Sequence, residues 1–108
     1  MEEYIVVYIT AASKTQAMDI ANRLVEEKLA ACASIVDNVT SVFRWNNAVD
    51  IAQEAQIIVK TRRELFSLLV NRVKQLHSYQ VPEIIALPIV AGSDDYLSWI
   101  KNVTQSHT

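Results

Sequence analysis

A chain of 108 residues with no linker-like stretch reads as one domain, long enough to bury about 65% of its unfolded-chain surface without staples. Its formal net charge of −2 gives no basic footprint for nucleic acid or an acidic membrane, and no apolar run approaches the roughly 20 residues of a membrane span. One cysteine allows no internal disulfide and fits a reducing, cytoplasmic setting; no basic n-region or cleavage site precedes the first strand.

The single glycine, Gly92, excludes a Gly-rich phosphate loop and a dinucleotide fingerprint. Tyr4 to Thr10 is a nearly unbroken β-branched and apolar run, as expected of a central strand covered on both faces. Ser13 with Gln16 forms a capping-box signature, and Ala17, Ile20, Ala21 and Leu24 follow at helical spacing. The pattern predicts a helix from Lys14 to about Lys28.

Two long extended segments follow, Ala33 to Trp45 and Val49 to Lys60. Asn46 and Asn47 between them tolerate the left-handed backbone of a tight hairpin, and Asp37-Asn38 marks a bulge in the first segment. Strands of about twelve residues span roughly 40 Å, whereas a domain of this size has a radius of gyration of about 13 Å. Such a hairpin overhangs its own core. Its tip carries Val42, Phe43, Trp45, Val49 and Ile51, an aggregation hazard unless another subunit receives it. The high apolar content, 51%, points the same way, to an oligomer.

Thr61 with Glu64 reads as a second capping box, opening a helix to about Leu76. A polar, Pro-punctuated loop from His77 to Glu83 then runs into a strand from Ile84 to Val90, where Pro88 points to a sheet edge. Ser93 opens a short helix through Tyr96, Trp99 and Ile100, and the tail from Asn102 is expected to fray. The order is β-α-β-β-α-β with a final helix. This α+β arrangement is the ferredoxin-like split βαβ plan, with the first and third strands central.

Ala31-Cys32, Val39-Thr40-Ser41, Trp45, Ile58-Val59-Lys60-Thr61, His77-Ser78-Tyr79, Pro82-Glu83-Ile84 and Tyr96-Leu97-Ser98-Trp99 occur in this order, and with them the chain resembles the CutA family from about Tyr4 to Ile100. The resemblance implies a ferredoxin-like protomer in a tight cytoplasmic homotrimer, with copper binding and divalent-cation tolerance attributed to it. The trimer is similar in architecture to PII signalling proteins, which bind small effectors in clefts between subunits. Ser78 departs from the proline usual after the loop histidine, and Asn47 replaces the glycine common in the hairpin tip.

Cys32 is a buried structural thiol or a soft ligand for Cu(I). His77 ends a helix, where the dipole favours a cation, and becomes a metal ligand only with partners such as Glu83 or copies of itself from other subunits. His107 sits in the polar tail. Arg44, Trp45, Lys60, Tyr79, Glu83 and Trp99 form a candidate inter-subunit cleft for a small anionic ligand, or serve as interface packing. No Ser-His-Asp or Cys-His motif supports an enzyme. The expectation is a copper- or divalent-metal-binding tolerance protein, with a PII-like sensor of a small anion as the alternative.

Overall fold

The elements form in the predicted order. A computed structural model describes residues 3–105. Across them run β1 (Tyr4–Ala11), α1 (Lys14–Glu26), β2 (Cys32–Trp45), β3 (Ala48–Arg62), a 3-10 turn (Arg63–Leu65), α2 (Phe66–Leu76), β4 (Ile84–Pro88) and α3 (Asp94–Val103). The strands pair antiparallel in the order β2-β3-β1-β4, the split βαβ topology with β1 and β3 inside and Pro88 on an edge strand.

Period-two alternation decides what faces the helices. Val7 and Ile9 of β1 pair with Val59 and Ile57 of β3, and all four are fully buried. Ile20 and Leu24 of α1 and Leu69 and Val73 of α2 close over them, also fully buried. Each such side chain contributes about 1.5–3 kcal/mol of burial free energy. Arg72 of α2 forks onto Glu27 at the end of α1, with Nε–Oε1 and Nη2–Oε2 both 2.9 Å.

The sheet's second face departs from expectation. Val6 and Tyr8 are only half-buried, so β1 is closed on one side within the protomer rather than on both. Tyr8 stands level with Ile58 and Ile85, and Val6 with Leu87, leaving an apolar strip in which Ile85 and Leu87 are exposed. The unbroken apolar run reads as two covered faces because the residues of the second face are as apolar as those that meet the helices.

The hairpin turns at Asn46 and Asn47, with φ of 52° and 62°, both left-handed as a two-residue turn requires. The bulge is also where expected: the β2–β3 register shifts between Val36 and Val39, and Asn38 has φ 60°. Pairing with β1 stops at Ala11–Ala55, while β2 and β3 continue together from Val39–Glu54 to Trp45–Ala48. This two-stranded ribbon extends the molecule to 44 × 25 × 22 Å. Val42 and Val49 on it are each 66% exposed.

Three boundaries differ. Thr61 does not cap α2: it lies inside β3 opposite Ile5, and its hydroxyl donates to the Leu29 carbonyl at 2.7 Å. The helix starts instead after the 3-10 turn, without a side-chain cap. β4 stops at Pro88, two residues short of Val90. The tail is ordered further than expected, because α3 runs to Val103 and Thr104 is fully buried. Arg62 holds it there, Nε donating to Thr104 Oγ1 at 2.9 Å and Nη2 to Thr104 O at 2.8 Å, while Nη1 meets Glu64. His107 lies outside the described residues.

Candidate functional site

Where β1 ends and the ribbon continues alone, the loop after α2 lies alongside it. Between them is a cavity of about 830 Å³. Phe43, Trp45, Asp50 and Glu54 line it from the ribbon, and Tyr79 and Glu83 from the loop. Among the described residues, no Lys or Arg lines it.

The loop is fixed by a short chain of hydrogen bonds. His77 caps the end of α2, its N–H donating to Val73 O at 2.8 Å. Its Nε2 lies 2.6 Å from Thr10 O, and since a carbonyl only accepts, Nε2 carries the proton. Nδ1 then accepts from the Tyr79 N–H at 3.0 Å. The rings of His77 and Tyr79 pack at 4.7 Å. Tyr79 Oη finally donates to Glu54 Oε2 at 2.6 Å. Burial, then this bond and the Glu54 charge, push the Tyr79 phenol up to about 12. Proline is not needed at position 78 to stiffen the loop, because the His77 ring holds it on both sides.

Cys32 is elsewhere. It opens β2 on the sheet's second face, level with Lys60 and Val6. Thr10, which anchors His77, stands four residues along β1 from Val6, about 13 Å at strand rise. The half-buried Cys32 Sγ meets Tyr96 Oη of α3 at 3.4 Å, and this contact, with burial, raises the Tyr96 phenol above its ordinary value. Trp99 packs on Tyr96 with ring centres 5.4 Å apart.

The residues singled out from the sequence therefore divide between two places. Trp45, Tyr79 and Glu83 meet in the cleft, with His77 behind its wall. Cys32, Lys60 and Trp99 belong to the other end of the sheet, and Arg44 is exposed on the ribbon outside the cleft lining. Cys32, His77 and Glu83 do not form one ligand set. Among the described residues, no group of three His, Cys, Asp or Glu side chains has metal-holding geometry. Glu54 and Asp50 were missed. Their signal was two acids four residues apart in an extended segment, which places both on one face of the strand.

A four-stranded antiparallel sheet with helices in the split βαβ order, an overhanging ribbon and a cleft beneath it define a ferredoxin-like α+β protein. The family profile described as CutA1 divalent ion tolerance protein matches residues 5–103. The chain is 50% identical over 104 residues to the divalent-cation tolerance protein CutA of Thermus thermophilus, covering 96% of this chain and 99% of that one. It is 46% identical to the chloroplastic protein CutA of Arabidopsis thaliana, covering 94% of this chain but only 56% of the plant protein's length. The crystal structure of CutA1 from Oryza sativa superposes with a TM-score of 0.94 at 42% identity, covering 98% of this chain and 97% of that one. The chain belongs to the CutA1 divalent ion tolerance family.

Proposed function

We propose that this chain works as a cytoplasmic homotrimer in tolerance of divalent cations, as a binding protein rather than an enzyme, and that copper is held between protomers at Cys32. The observation that carries the reading is the position of Cys32: half-buried on the sheet's second face beside Tyr96 of α3, where another protomer would bring further donors. A single protomer does not supply a complete set, since both nitrogens of His77 are engaged and Glu83 stands apart from Cys32. A soft thiolate suits Cu(I), and threefold symmetry would gather three copies of it.

Assembly is supported by the sheet's two free edges, β2 with 14 residues and β4 with five, and by the apolar strip on its second face. Free edges of opposite ends favour head-to-tail addition, which closes into a ring. The test is sedimentation equilibrium at micromolar protein together with copper bound per protomer in wild type, Cys32→Ser and His77→Ala. A trimer whose copper is lost in Cys32→Ser and kept in His77→Ala is the expected result; a folded monomer, or copper unchanged in Cys32→Ser, refutes it. A PII-like sensor of a small anion finds less support, because one protomer's cleft presents carboxylates to its ligand.

A further inference from the structure

We infer that the loop of residues 77–83 is held by an acid-sensitive latch, in which a proton on His77 Nδ1 leaves the ring anchored on β1 and releases the Tyr79 backbone. The latch lies at the other end of the sheet from Cys32 and does not rest on the copper reading.

The two ring nitrogens differ in role. Nε2 carries the proton that binds the Thr10 carbonyl, 2.6 Å away, so Nδ1 of the neutral ring keeps a lone pair. That lone pair accepts the Tyr79 N–H at 3.0 Å. An imidazolium donates from both nitrogens and accepts at neither. Protonation therefore keeps the bond to Thr10, now strengthened by charge, and sets one N–H against another at Tyr79. Both contacts lie within one protomer.

The surroundings decide which side gives way. His77 caps the end of α2, with its N–H on Val73 O at 2.8 Å, and helix carbonyls favour a cation there. β1 presents the Thr10 carbonyl, which accepts from the ring in either charge state. β3 brings the Glu54 carboxylate, bound to the hydroxyl of the same Tyr79 whose ring packs on His77 at 4.7 Å. The loop adds Glu83, and Tyr79 itself, whose phenol, pushed up to about 12 by burial and by Glu54, stays neutral. Against them stands Lys74, in the last turn of α2. Carbonyls and carboxylates thus seat an imidazolium where the ring already lies, and the Tyr79 amide is the group that moves.

The sign follows by linkage. The latched form binds no proton at Nδ1 and the released form does, so falling pH favours release. Imidazole is the side chain whose ordinary charge change falls between about pH 5 and about pH 8. Ser78 sharpens the effect, because without a proline ring its φ is free and the bond from Tyr79 to Nδ1 is what stiffens the loop at that point. Tyr79 lines the cleft, so the latch sets how firmly that wall is held.

The test uses the full chain in its native assembly at about pH 8 and about pH 5, with His107→Gln so that His77 is the one imidazole. Proton–nitrogen NMR correlations of the ring should show the Nε2–H tautomer at the higher pH and the imidazolium at the lower. The exchange protection factor of the Tyr79 amide, which already discounts the intrinsic pH dependence of exchange, should fall about tenfold between them, the worth of one hydrogen bond. His77→Gln keeps a donor in the place of Nε2, His77→Asn keeps an acceptor in the place of Nδ1, and neither titrates. Tyr79 protection should be independent of pH in both, low in the Gln variant and high in the Asn variant. Equal protection at both pH values with His77 intact overturns the proposal, as does a proton on Nδ1 at about pH 8. So does an equal fall in the two His77 variants, which would assign the acid response to Glu54. The tautomer and the protection with His77 intact need no change at this residue, so they decide the matter even where a His77 variant fails to fold.

Discussion

The Tyr79 hydroxyl donates to Glu54 Oε2 across 2.6 Å, joining the loop after α2 to a carboxylate on the β2–β3 ribbon. Among the described residues Glu54 is the only buried acid, so this bond both seals a cleft wall and gives a buried carboxylate oxygen its donor. Removing it in Tyr79→Phe should cost about 1.5–3 kcal/mol at neutral pH, the usual worth of a hydrogen bond to a charged group. The pH dependence has a definite sign. The folded-state phenol is raised, by burial first and then by Glu54, to about 12. It keeps its proton where the unfolded chain, with a phenol near its ordinary value of about 10, has already lost it. The stabilisation is complete below that value and disappears as pH rises toward the folded one. Urea midpoints from about pH 8 to about pH 12 should therefore fall more steeply in wild type than in Tyr79→Phe. Parallel profiles would show that the bond does not form.

Thr61 gives a second measurable consequence. Its buried hydroxyl donates to Leu29 O at 2.7 Å, tying β3 to the segment that follows α1. Thr61→Val keeps the shape and deletes the donor, leaving a buried carbonyl unpaired. A loss of about 1–3 kcal/mol in chemical denaturation is expected, with helix content unchanged. If Thr61 were a helix cap instead, the loss would come with fraying of α2 seen by amide exchange.

Local chemistry was legible where it was self-contained. Ser13 accepts from the Gln16 N–H at 3.1 Å, as its spacing implies, and the Asn46-Asn47 turn and Asp37-Asn38 bulge depend only on which residues tolerate positive φ. The Thr61–Glu64 spacing is the same signature as Ser13–Gln16, yet a tertiary acceptor 32 residues away claims the hydroxyl. The candidate site was half legible for a similar reason. Tyr79 and Glu83 share a loop with His77, but Glu54 joins them only because the ribbon overshoots β1 and the loop crosses at Thr10. Lys60 and Trp99 share residue types with a ligand cleft, and register places them with Cys32 and Tyr96 instead.

Lys28 predicts a gain rather than a loss. It follows α1 with φ 61°, the left-handed position where a helix end usually has glycine. The Leu29 N–H closes the motif on Leu24 O at 2.9 Å, so the backbone is held there despite the lysine Cβ. Left-handed backbone costs a non-glycine residue roughly 1–2 kcal/mol, partly offset by glycine's greater freedom in the unfolded chain. Lys28→Gly should thus stabilise by about 0.5–1 kcal/mol in urea titration. A destabilised variant would mean that the lysine side chain makes up the difference through its own contacts.

Trp45 tests the ribbon itself. It ends β2 at the hairpin tip and is 49% exposed in the protomer, beside Val42 and Val49, which are more exposed still. A two-stranded ribbon is marginal alone in water, and large apolar side chains at its tip need a second surface. In the proposed trimer that surface is a neighbouring protomer, and buried tryptophans are the commonest interface anchors. Trp45→Ala should weaken assembly by about 2 kcal/mol or more and leave the protomer's secondary structure intact, because the core formed by Val7, Ile9, Ile57 and Val59 is remote from the tip. Sedimentation at decreasing protein concentration should show dissociation in the variant before wild type, and its melting temperature should become more concentration-dependent. Should the variant keep wild-type mass and melting behaviour throughout, the tip lies in solvent and assembly rests on the sheet's second face and free edges alone.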